Sequence, residues 1–324
     1  MPLIVSNKDL APLVQDPASM DGAIDAIERA TIAYYRGEVR DARIRDETTA
    51  AEPNIVALTF AAHDSIVTGF QIFAELDDGP EEPNGRFVVL LDKETRGLIG
   101  IVDYHCISPL RVGASSGAAC RRLTPEGART AGIIGSSRQA RGQLQAIVRT
   151  APSIQEVRIY SPTPEHRAAF AKEMSEWLGV EAYPVASYRE AVTGADVLAL
   201  AANTRDVVLD KEWVKPGALV LSIGGARLPT SVLGDWRPVF STWENSSRRY
   251  PFAEAVEAGR FTRDDMAAEL AEVILGQKNV RRSPEEIVVF DCGVLNYWAV
   301  SVAHYAYEWA RTNGVGTEFA LNQR

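Results

Sequence analysis

The chain has 324 residues, of which 46% are hydrophobic and 24% are charged, a composition typical of a soluble globular protein with one large domain or two of ordinary size. The formal net charge is −9 and no Lys/Arg-rich face is evident, which argues against nucleic acid or an anionic membrane as the main partner. No apolar run approaches the roughly 20 residues that span a bilayer, and the first residues lack the basic segment of a secretory signal.

The first third of the chain predicts a helix followed by a mostly antiparallel sheet. Residues 19–39 place Ala23, Ile27 and Ala30 at helical spacing, and Gly37 is expected to end the helix. Shorter alternating or β-rich runs follow and predict strands. These runs read NIVALTFAA, SIVTGFQIFAEL, RFVVLLD and GLIGIVDY.

The rest of the chain predicts a parallel sheet wrapped by helices. Residues 107–123 indicate a helix of small residues with Pro109 in its first turn. Beyond residue 128, strands and helices alternate in the βαβ pattern of an α/β fold. The last part, residues 288–314, predicts a strand and then a long helix with an apolar face.

Residues 132–144, GIIGSSRQARGQL, resemble the turn that binds the pyrophosphate of a dinucleotide. Gly135 suits the tight turn and Ala140 is small enough for close helix–sheet packing, whereas Ser137 replaces the second glycine. A serine still offers a backbone amide, adds a hydroxyl donor and is a favoured N-cap. The alternative is a helix N-cap loop that binds nothing.

The second strand of this region is followed by Ser161, where an NAD site commonly has the acid that binds the ribose hydroxyls. A missing carboxylate removes repulsion towards a 2′-phosphate, to which Ser161, Thr163 and Arg167 could donate hydrogen bonds. The sequence therefore favours NADP(H) over NAD(H). The alternative is that Ser161 and Thr163 only cap the following helix.

Arg111 lies near the start of the small-residue helix, with Asp103 and His105 just upstream. An arginine in such a stretch, close to a helix N-terminus, suits the carboxylate of a small substrate. The alternative is a surface arginine whose aliphatic stem covers apolar neighbours.

Together these motifs resemble the ornithine cyclodeaminase/mu-crystallin family. The family's GxGxQA turn corresponds to GSSRQA, its TxLRTxA helix start to SPLRVGA, and its xIGAxxPxxxEL segment to SIGGARLPTSVL at 222–233. The order and spacing of the motifs along nearly the whole chain make the resemblance specific.

The resemblance implies a Rossmann-type doubly wound parallel sheet plus a second α/β domain, in a homodimer. Residues 1–125, completed by 295–324, would bind substrate and dimerise, and residues 126–294 would bind the dinucleotide. The chemistry implied is hydride transfer between nicotinamide and a carbon that carries nitrogen beside a carboxylate. The cofactor-binding residues implied are Gly135, Ser136, Ser137, Arg138, Gln139, Ala140, Ser161, Thr163, Arg167, Ala202, Asn203, Gly224 and Gly225.

In the substrate site that the resemblance implies, Arg111 matches the family's carboxylate-binding arginine. Arg43 falls near a second arginine that contacts the carboxylate, although Arg40 and Arg45 compete for that alignment. The alternative for this segment is a charged, solvated connection.

Three departures from the family concern acid–base residues. The family lysine falls at Gln71, the aspartate of true ornithine cyclodeaminases falls at Ala226, and the usual acid near the start of the last helix is absent at Asn296. Neither Gln nor Ala can donate or accept a proton as Lys and Asp do. The remaining candidates for acid–base work are Asp103, His105, Asp291 and a bound water.

The leading hypothesis is an NAD(P)-dependent oxidoreductase that acts on a small imino, amino or keto carboxylic acid. Hydride transfer needs few protein groups beyond positioning and one proton source, so it tolerates the loss of the lysine. A second hypothesis is a catalytically silent, crystallin-like protein that binds NAD(P)H and a ligand. A third is an amino-acid cyclodeaminase with rewired acid–base residues.

The cysteine and histidine pattern predicts no metal site. The three cysteines are odd in number and widely separated, and the sequence contains no CxxC pair and no HExxH motif. Cysteines in this number and spacing suit a reducing cytoplasm better than a disulfide framework.

Overall fold

The structure is a computed structural model of one chain. It describes residues 1–41, 67–72, 86–223, 227–293 and 295–320, together with the backbone of 44–45, 57–58 and 61–63. The chain divides into two compact units, residues 1–111 with 295–324 and residues 112–294. The division falls inside a helix, 14 residues before the predicted division at 125/126.

The first unit is a sheet covered on one face by helices. Among its described residues, six strands join in the order β16-β1-β7-β6-β5-β4, antiparallel except for the β1–β7 pair. Two further strands, β2 and β3, form a separate antiparallel pair. The elements are β1 (Leu3–Val5), α1 (Asn7–Gln15), α2 (Ser19–Tyr35), β2 (Ile44–Arg45), β3 (Ala57–Leu58), β4 (Ala61–His63), β5 (Val67–Ile72), β6 (Phe87–Asp92), β7 (Leu98–Asp103), α3 (Ile107–Leu123, shared with the second unit), α10 (Asn296–Thr312) and β16 (Thr317–Glu318).

Helix α10 packs against one face of this sheet. A Cβ added at Gly69 in β5 would lie 3.1 Å from a side-chain carbon of Val300, so the glycine allows the helix to approach closely. The indole nitrogen of Trp298 donates to the Thr31 hydroxyl at 2.8 Å, which joins α10 to α2 in the core. The apolar face of α10 therefore accounts for its burial in this unit.

The opposite face of the sheet is also apolar but is partly exposed. The strand register places Ile4, Ile101, Val89 and Phe70 in one row across four strands, and all four side chains keep some exposure. Ile4 is 41% exposed. An apolar row of this kind on a sheet face is typical of a surface that packs against another sheet.

The second unit is a parallel sheet with helices in its crossovers. Its described strands run in the order β10-β9-β8-β11-β12-β15-β13-β14, and every pair is parallel. The elements are β8 (Thr130–Ile134), α4 (Arg138–Thr150), β9 (Glu156–Tyr160), α5 (Pro164–Leu178), β10 (Glu181–Pro184), α6 (Tyr188–Val192), β11 (Val197–Leu200), β12 (Leu219–Ser222), β13 (Arg237–Phe240), α7 (Trp243–Ser246), α8 (Phe252–Glu257), β14 (Ala268–Glu269), α9 (Leu270–Ile274) and β15 (Val288–Asp291).

The strand order of the second unit reverses at β8. The chain runs outward from β8 through β9 to β10, then returns to place β11 on the other side of β8. In open α/β sheets a ligand crevice lies at the carboxyl ends of the strands on either side of such a reversal. This topology confirms the predicted Rossmann-type parallel sheet and places the dinucleotide turn, which follows β8, at the expected edge.

The sequence predicted the long helices and the strands from β8 to β12, but it left two regions of short elements unassigned. Helix α3 spans Ile107–Leu123, as predicted, and α2 ends at Tyr35 because Gly37 adopts a positive φ of 76°. Short elements in residues 1–15 and 237–274 had no pattern long enough to assign. None of the helices in the described ranges is long and apolar enough to cross a membrane.

Candidate functional site

The turn after β8 has the backbone geometry of a dinucleotide-binding loop. Gly135 has a φ of 121°, and a Cβ added there would lie 2.8 Å from the carbonyl oxygen of Ala201, which follows β11. Both observations require glycine, because an L side chain would be strained and would strike backbone. The Gly135 amide donates to the carbonyl of Tyr160 at 2.8 Å, so the turn is tied to the end of β9.

Helix α4 begins with Arg138 immediately after this turn. Ser137 occupies the N-cap position with extended backbone, and its side chain makes no capping hydrogen bond. The first backbone N–H groups of a helix have no intrahelical acceptor and attract anions. Ala140 is fully buried, as close packing of the helix on the sheet requires. The residues present therefore fit the pyrophosphate of a dinucleotide, even with serine in place of the second glycine.

The end of β9 presents hydroxyl and guanidinium groups. The Ser136 hydroxyl donates to the Ser161 hydroxyl at 2.9 Å, and Arg167 donates through Nη1 to the Ser161 carbonyl at 2.8 Å. The Arg167 guanidinium also lies 5.4 Å from the ring centre of Tyr160. Thr163 occupies the N-cap position of α5 but makes no capping hydrogen bond through its side chain. The alternative in which Ser161 and Thr163 only cap the following helix is therefore not supported by the side chain of Thr163.

The other predicted cofactor residues fall in three places. Arg138 is exposed and Gln139 is partly buried in the first turn of α4. Ala202 and Asn203 follow β11, next to the carbonyl that approaches Gly135. Gly224 and Gly225, together with Ala226, lie outside the described residues.

Arg111 is the most unusual charged residue of the first unit. It is only 7% exposed, and its Nε donates to the Tyr104 hydroxyl at 2.8 Å. Within the described residues no carboxylate pairs with it. A buried guanidinium without an anionic partner is costly, because desolvation is not compensated by a charge. Its burial does not fit the alternative of a surface arginine whose aliphatic stem covers apolar neighbours.

Asp103 and His105 form a local turn before α3. The Asp103 carboxylate accepts a hydrogen bond from the backbone N–H of His105 at 2.7 Å, and the His105 side chain is exposed. The aspartate thus has a structural role in the entry to α3, alongside any catalytic one.

Gln71 and Asp103 lie on opposite faces of the first sheet. The register aligns Gln71 with Val88 and Val102, whereas Asp103 aligns with Phe87, and neighbouring positions of a strand alternate between faces. Gln71 is 7% exposed and shares its face with Gly69, against which α10 packs. The strand register therefore directs these two candidate substrate-site residues to opposite faces of the sheet.

The carboxylate of Asp41 lies at the start of α10, although Asp41 is far from that helix in the sequence. The two carboxylate oxygens of Asp41 accept hydrogen bonds from the backbone N–H of Asn296 at 3.0 Å and from its side-chain amide at 2.8 Å. Asp41 thus supplies negative charge at the helix N-terminus. It lies two residues before Arg43, which is outside the described residues.

Asp291, at the carboxyl end of β15, is a buried acid of the second unit. It is 1% exposed, and burial raises the pKa of its carboxyl group although Arg249 acts in the opposite direction. The Arg249 Nε lies 3.8 Å from its Oδ2, a distance too long for a hydrogen bond. The carboxyl group of Asp291 is therefore harder to ionise than that of an exposed aspartate.

The sequence profile of the ornithine cyclodeaminase/mu-crystallin family matches residues 14–314. The chain belongs to this family. A Delta(1)-pyrroline-2-carboxylate reductase from Bacillus cereus is 31% identical to this family member over 249 residues, which are 74% of this chain and 74% of that protein.

Two solved structures with over 25% identity share the fold. The first is Thermococcus litoralis Delta(1)-pyrroline-2-carboxylate reductase in complex with NADH and L-proline, with 28% identity and a TM-score of 0.87 over 98% of this chain and 100% of that chain. The second is an archaeal alanine dehydrogenase dimer with bound NAD, with 26% identity and a TM-score of 0.87 over 99% of each chain. The predicted family and fold class are confirmed.

Sequence reasoning missed two residues that contact candidate site residues in this family member. Tyr104 and Asp41 had no role assigned, yet they bond to Arg111 and Asn296 respectively. No periodicity marks either residue, because Tyr104 precedes α3 and Asp41 follows α2. The one available signal for Asp41 was the missing family acid at the start of the last helix, because its absence left room for an acid from another part of the chain.

Proposed function

We propose that this protein is an NAD(P)-dependent oxidoreductase that transfers hydride between nicotinamide and a small imino or amino carboxylic acid. The observation that carries the proposal is the buried Arg111 without a carboxylate partner among the described residues. The pyrophosphate-type turn at Gly135 supplies the second requirement. The matched reductase and dehydrogenase relatives act on substrates of this kind, as their names state.

The residues divide the work between binding and positioning. Arg111 binds the substrate carboxylate, which fixes the neighbouring carbon and its nitrogen. Bound nicotinamide supplies or accepts the hydride at that carbon. Reduction also places one proton on the nitrogen, and Gln71 cannot provide it. That proton comes from an ordered water or from the side chain of His105, which is exposed and lies shortly before Arg111 in the sequence.

Arg111 is retained, whereas Gln71 stands where the family has a lysine. This combination favours net reduction or oxidation over ring-closing deamination. In ring closure the side-chain amine adds to the imine carbon and the original nitrogen then leaves as ammonia, which needs proton transfers beyond the one that imine reduction needs. A silent binding protein would keep Arg111 and the turn but would not turn over. Turnover therefore separates the oxidoreductase from the binding protein.

We include NADP(H) as the preferred cofactor in the proposal. Ser161, and not a carboxylate, directly follows β9, and Arg167 donates a hydrogen bond to the Ser161 carbonyl. The substitution Arg167→Ala should weaken NADPH binding by roughly tenfold, the value of one charge-assisted contact, and leave NADH affinity within about twofold. Titration of the intrinsic fluorescence with each cofactor measures both. Equal losses for the two cofactors would contradict the preference.

We also propose a homodimer that pairs the partly exposed apolar sheet faces of two first units. The row Ile4, Ile101, Val89 and Phe70 supplies the contact surface, and the matched alanine dehydrogenase is described as a dimer. Ile101→Glu should give a monomer in light scattering after gel filtration. The matched control Val207→Glu, at a 49% exposed position of the second unit, should not. The three cysteines form no disulfide with one another, which fits the reducing cytoplasm that we propose as the location.

The decisive experiment measures oxidation of NADPH or NADH by the purified protein with a panel of substrates. The panel contains cyclic imines that carry a carboxylate, the same imines without it, and α-keto acids with and without an amine. We expect turnover only with substrates that carry a carboxylate. Binding of cofactor without turnover on any substrate would support the silent protein, and release of ammonia from ornithine with catalytic cofactor would support a cyclodeaminase.

A further inference from the structure

Tyr104 is fixed in place between β7 and α3. It is 3% exposed, its backbone N–H donates to the carbonyl of Arg86 at 2.9 Å, and its carbonyl accepts from the amide of Ser108 at 3.0 Å. The ring is therefore held by packing and by both backbone groups. Its hydroxyl lies at the Nε of Arg111, 2.8 Å away.

This contact decides which edge of the Arg111 guanidinium is available. A carboxylate can bind an arginine side-on, through Nε and one Nη, or end-on, through Nη1 and Nη2. The Tyr104 hydroxyl takes the Nε hydrogen and so blocks the side-on mode. The end-on pair of nitrogens makes no hydrogen bond within the described part of the chain.

The direction of the hydrogen bond also frees the phenolic hydrogen. Nε donates and the Tyr104 oxygen accepts, because a guanidinium has no acceptor. The O–H of Tyr104 then has to find its own acceptor, and none is present among the described residues. A buried hydroxyl without an acceptor is costly, so an acceptor from a ligand accounts for it.

We propose that Tyr104 is the positioning residue that holds Arg111 end-on towards the substrate carboxylate and donates its own O–H to the same ligand. This inference rests on the proposed function. The site then offers three hydrogen-bond donors, the two Nη atoms of Arg111 and the O–H of Tyr104. Such a site selects a monocarboxylate whose two oxygens accept from Arg111. The Tyr104 O–H then needs a further acceptor beside them, either a second lone pair of the carboxylate or an imine nitrogen.

Tyr104→Phe removes the hydroxyl and keeps the ring, so it tests the hydrogen bonds without opening a cavity. We expect KM for the carboxylate substrate to rise roughly tenfold or more, which is the value of a hydrogen bond to a charged group. The kcat should change by less than about threefold, since hydride transfer does not use the phenol directly, and the cofactor affinity should stay unchanged. Tyr307→Phe, at a buried tyrosine of α10 in the same unit, is the matched control and should keep KM.

A double-mutant cycle separates positioning from packing. With Arg111→Ala already present, Tyr104→Phe should raise KM by less than it does in the wild type, because its positioning effect on the guanidinium is gone and only its own hydrogen bond to the ligand remains to be lost. Additive losses, or an equal fall in kcat with unchanged KM, would overturn the inference.

The inference and the proposed function fail in different ways. If the wild-type protein shows no hydride transfer, the proposed function fails, and the inference is then judged by calorimetric affinity for L-proline as a carboxylate probe. Tyr104→Phe should weaken that affinity roughly tenfold. No binding of the probe by the wild type, or equal binding by both proteins, would overturn it.

Discussion

The two candidate anion-binding regions of this chain are built in opposite ways. The turn after β8 relies on backbone, with Gly135 at a positive φ and the N-terminal amides of α4 beyond it. The region around Arg111 relies on one buried guanidinium and one phenol. A site made of backbone tolerates a change of side chain, which is why Ser137 can replace a glycine. A site made of side chains depends on each one.

The largest effect should follow from Arg111→Ala. Loss of the bidentate contact should raise KM for the carboxylate substrate roughly a hundredfold, as for other charged pairs that lose one partner, while cofactor affinity stays nearly unchanged. Steady-state kinetics and cofactor titration measure the two quantities. Arg121→Ala, at an exposed arginine of the same helix, is the control. Equal losses in both quantities would indicate a structural role for Arg111.

The complementary change is Gly135→Ala in the backbone-built turn. The added methyl group would meet the Ala201 carbonyl at 2.8 Å at a φ that alanine rarely adopts. We expect cofactor affinity to fall at least roughly tenfold, because the amides move away from the pyrophosphate. Gly127→Ala is the control, since Gly127 also has a positive φ but has open space around it. Similar cofactor affinities for the two variants would refute a backbone-built site.

A smaller effect should follow from Asp41→Ala, which removes the acid at the start of α10. The free energy of unfolding should fall by about 1–2 kcal/mol, since the helix loses its cap and the Asn296 amide loses its acceptor. Chemical denaturation measures the change. Asp41→Asn keeps one carbonyl acceptor and should lose less. Identical stability of all three proteins would show that this contact contributes nothing.

The smallest effect concerns pH and Asp291. Burial raises the pKa of this carboxyl group in the folded state, so the folded state holds its proton to a higher pH than the unfolded state does. Stability from this group is then complete below the unfolded pKa and falls as pH rises. Asp291→Asn cannot ionise, so its Tm relative to wild type should increase as pH rises above about 4, the ordinary pKa of an aspartate. A Tm difference that is constant with pH would contradict the raised pKa.

The sequence by itself determined the local parts of both regions. It predicted helix α3, the strand–turn–helix at Gly135, the parallel sheet of the second unit and Arg111 as a candidate for carboxylate binding. These are set by short-range pattern: helical spacing, glycine where φ is positive, and alternation of strands with helices. Family membership followed from the order of the same motifs.

Only the tertiary structure decided which side chains meet. It separated Gln71 from Asp103 by strand register, since one residue of offset sends side chains to opposite faces. It brought Asp41 to Asn296 across 255 positions of chain, where no local pattern could pair them. It also placed the Tyr104 hydroxyl on Arg111, because the turn before α3, and not helical spacing, sets the direction of that ring.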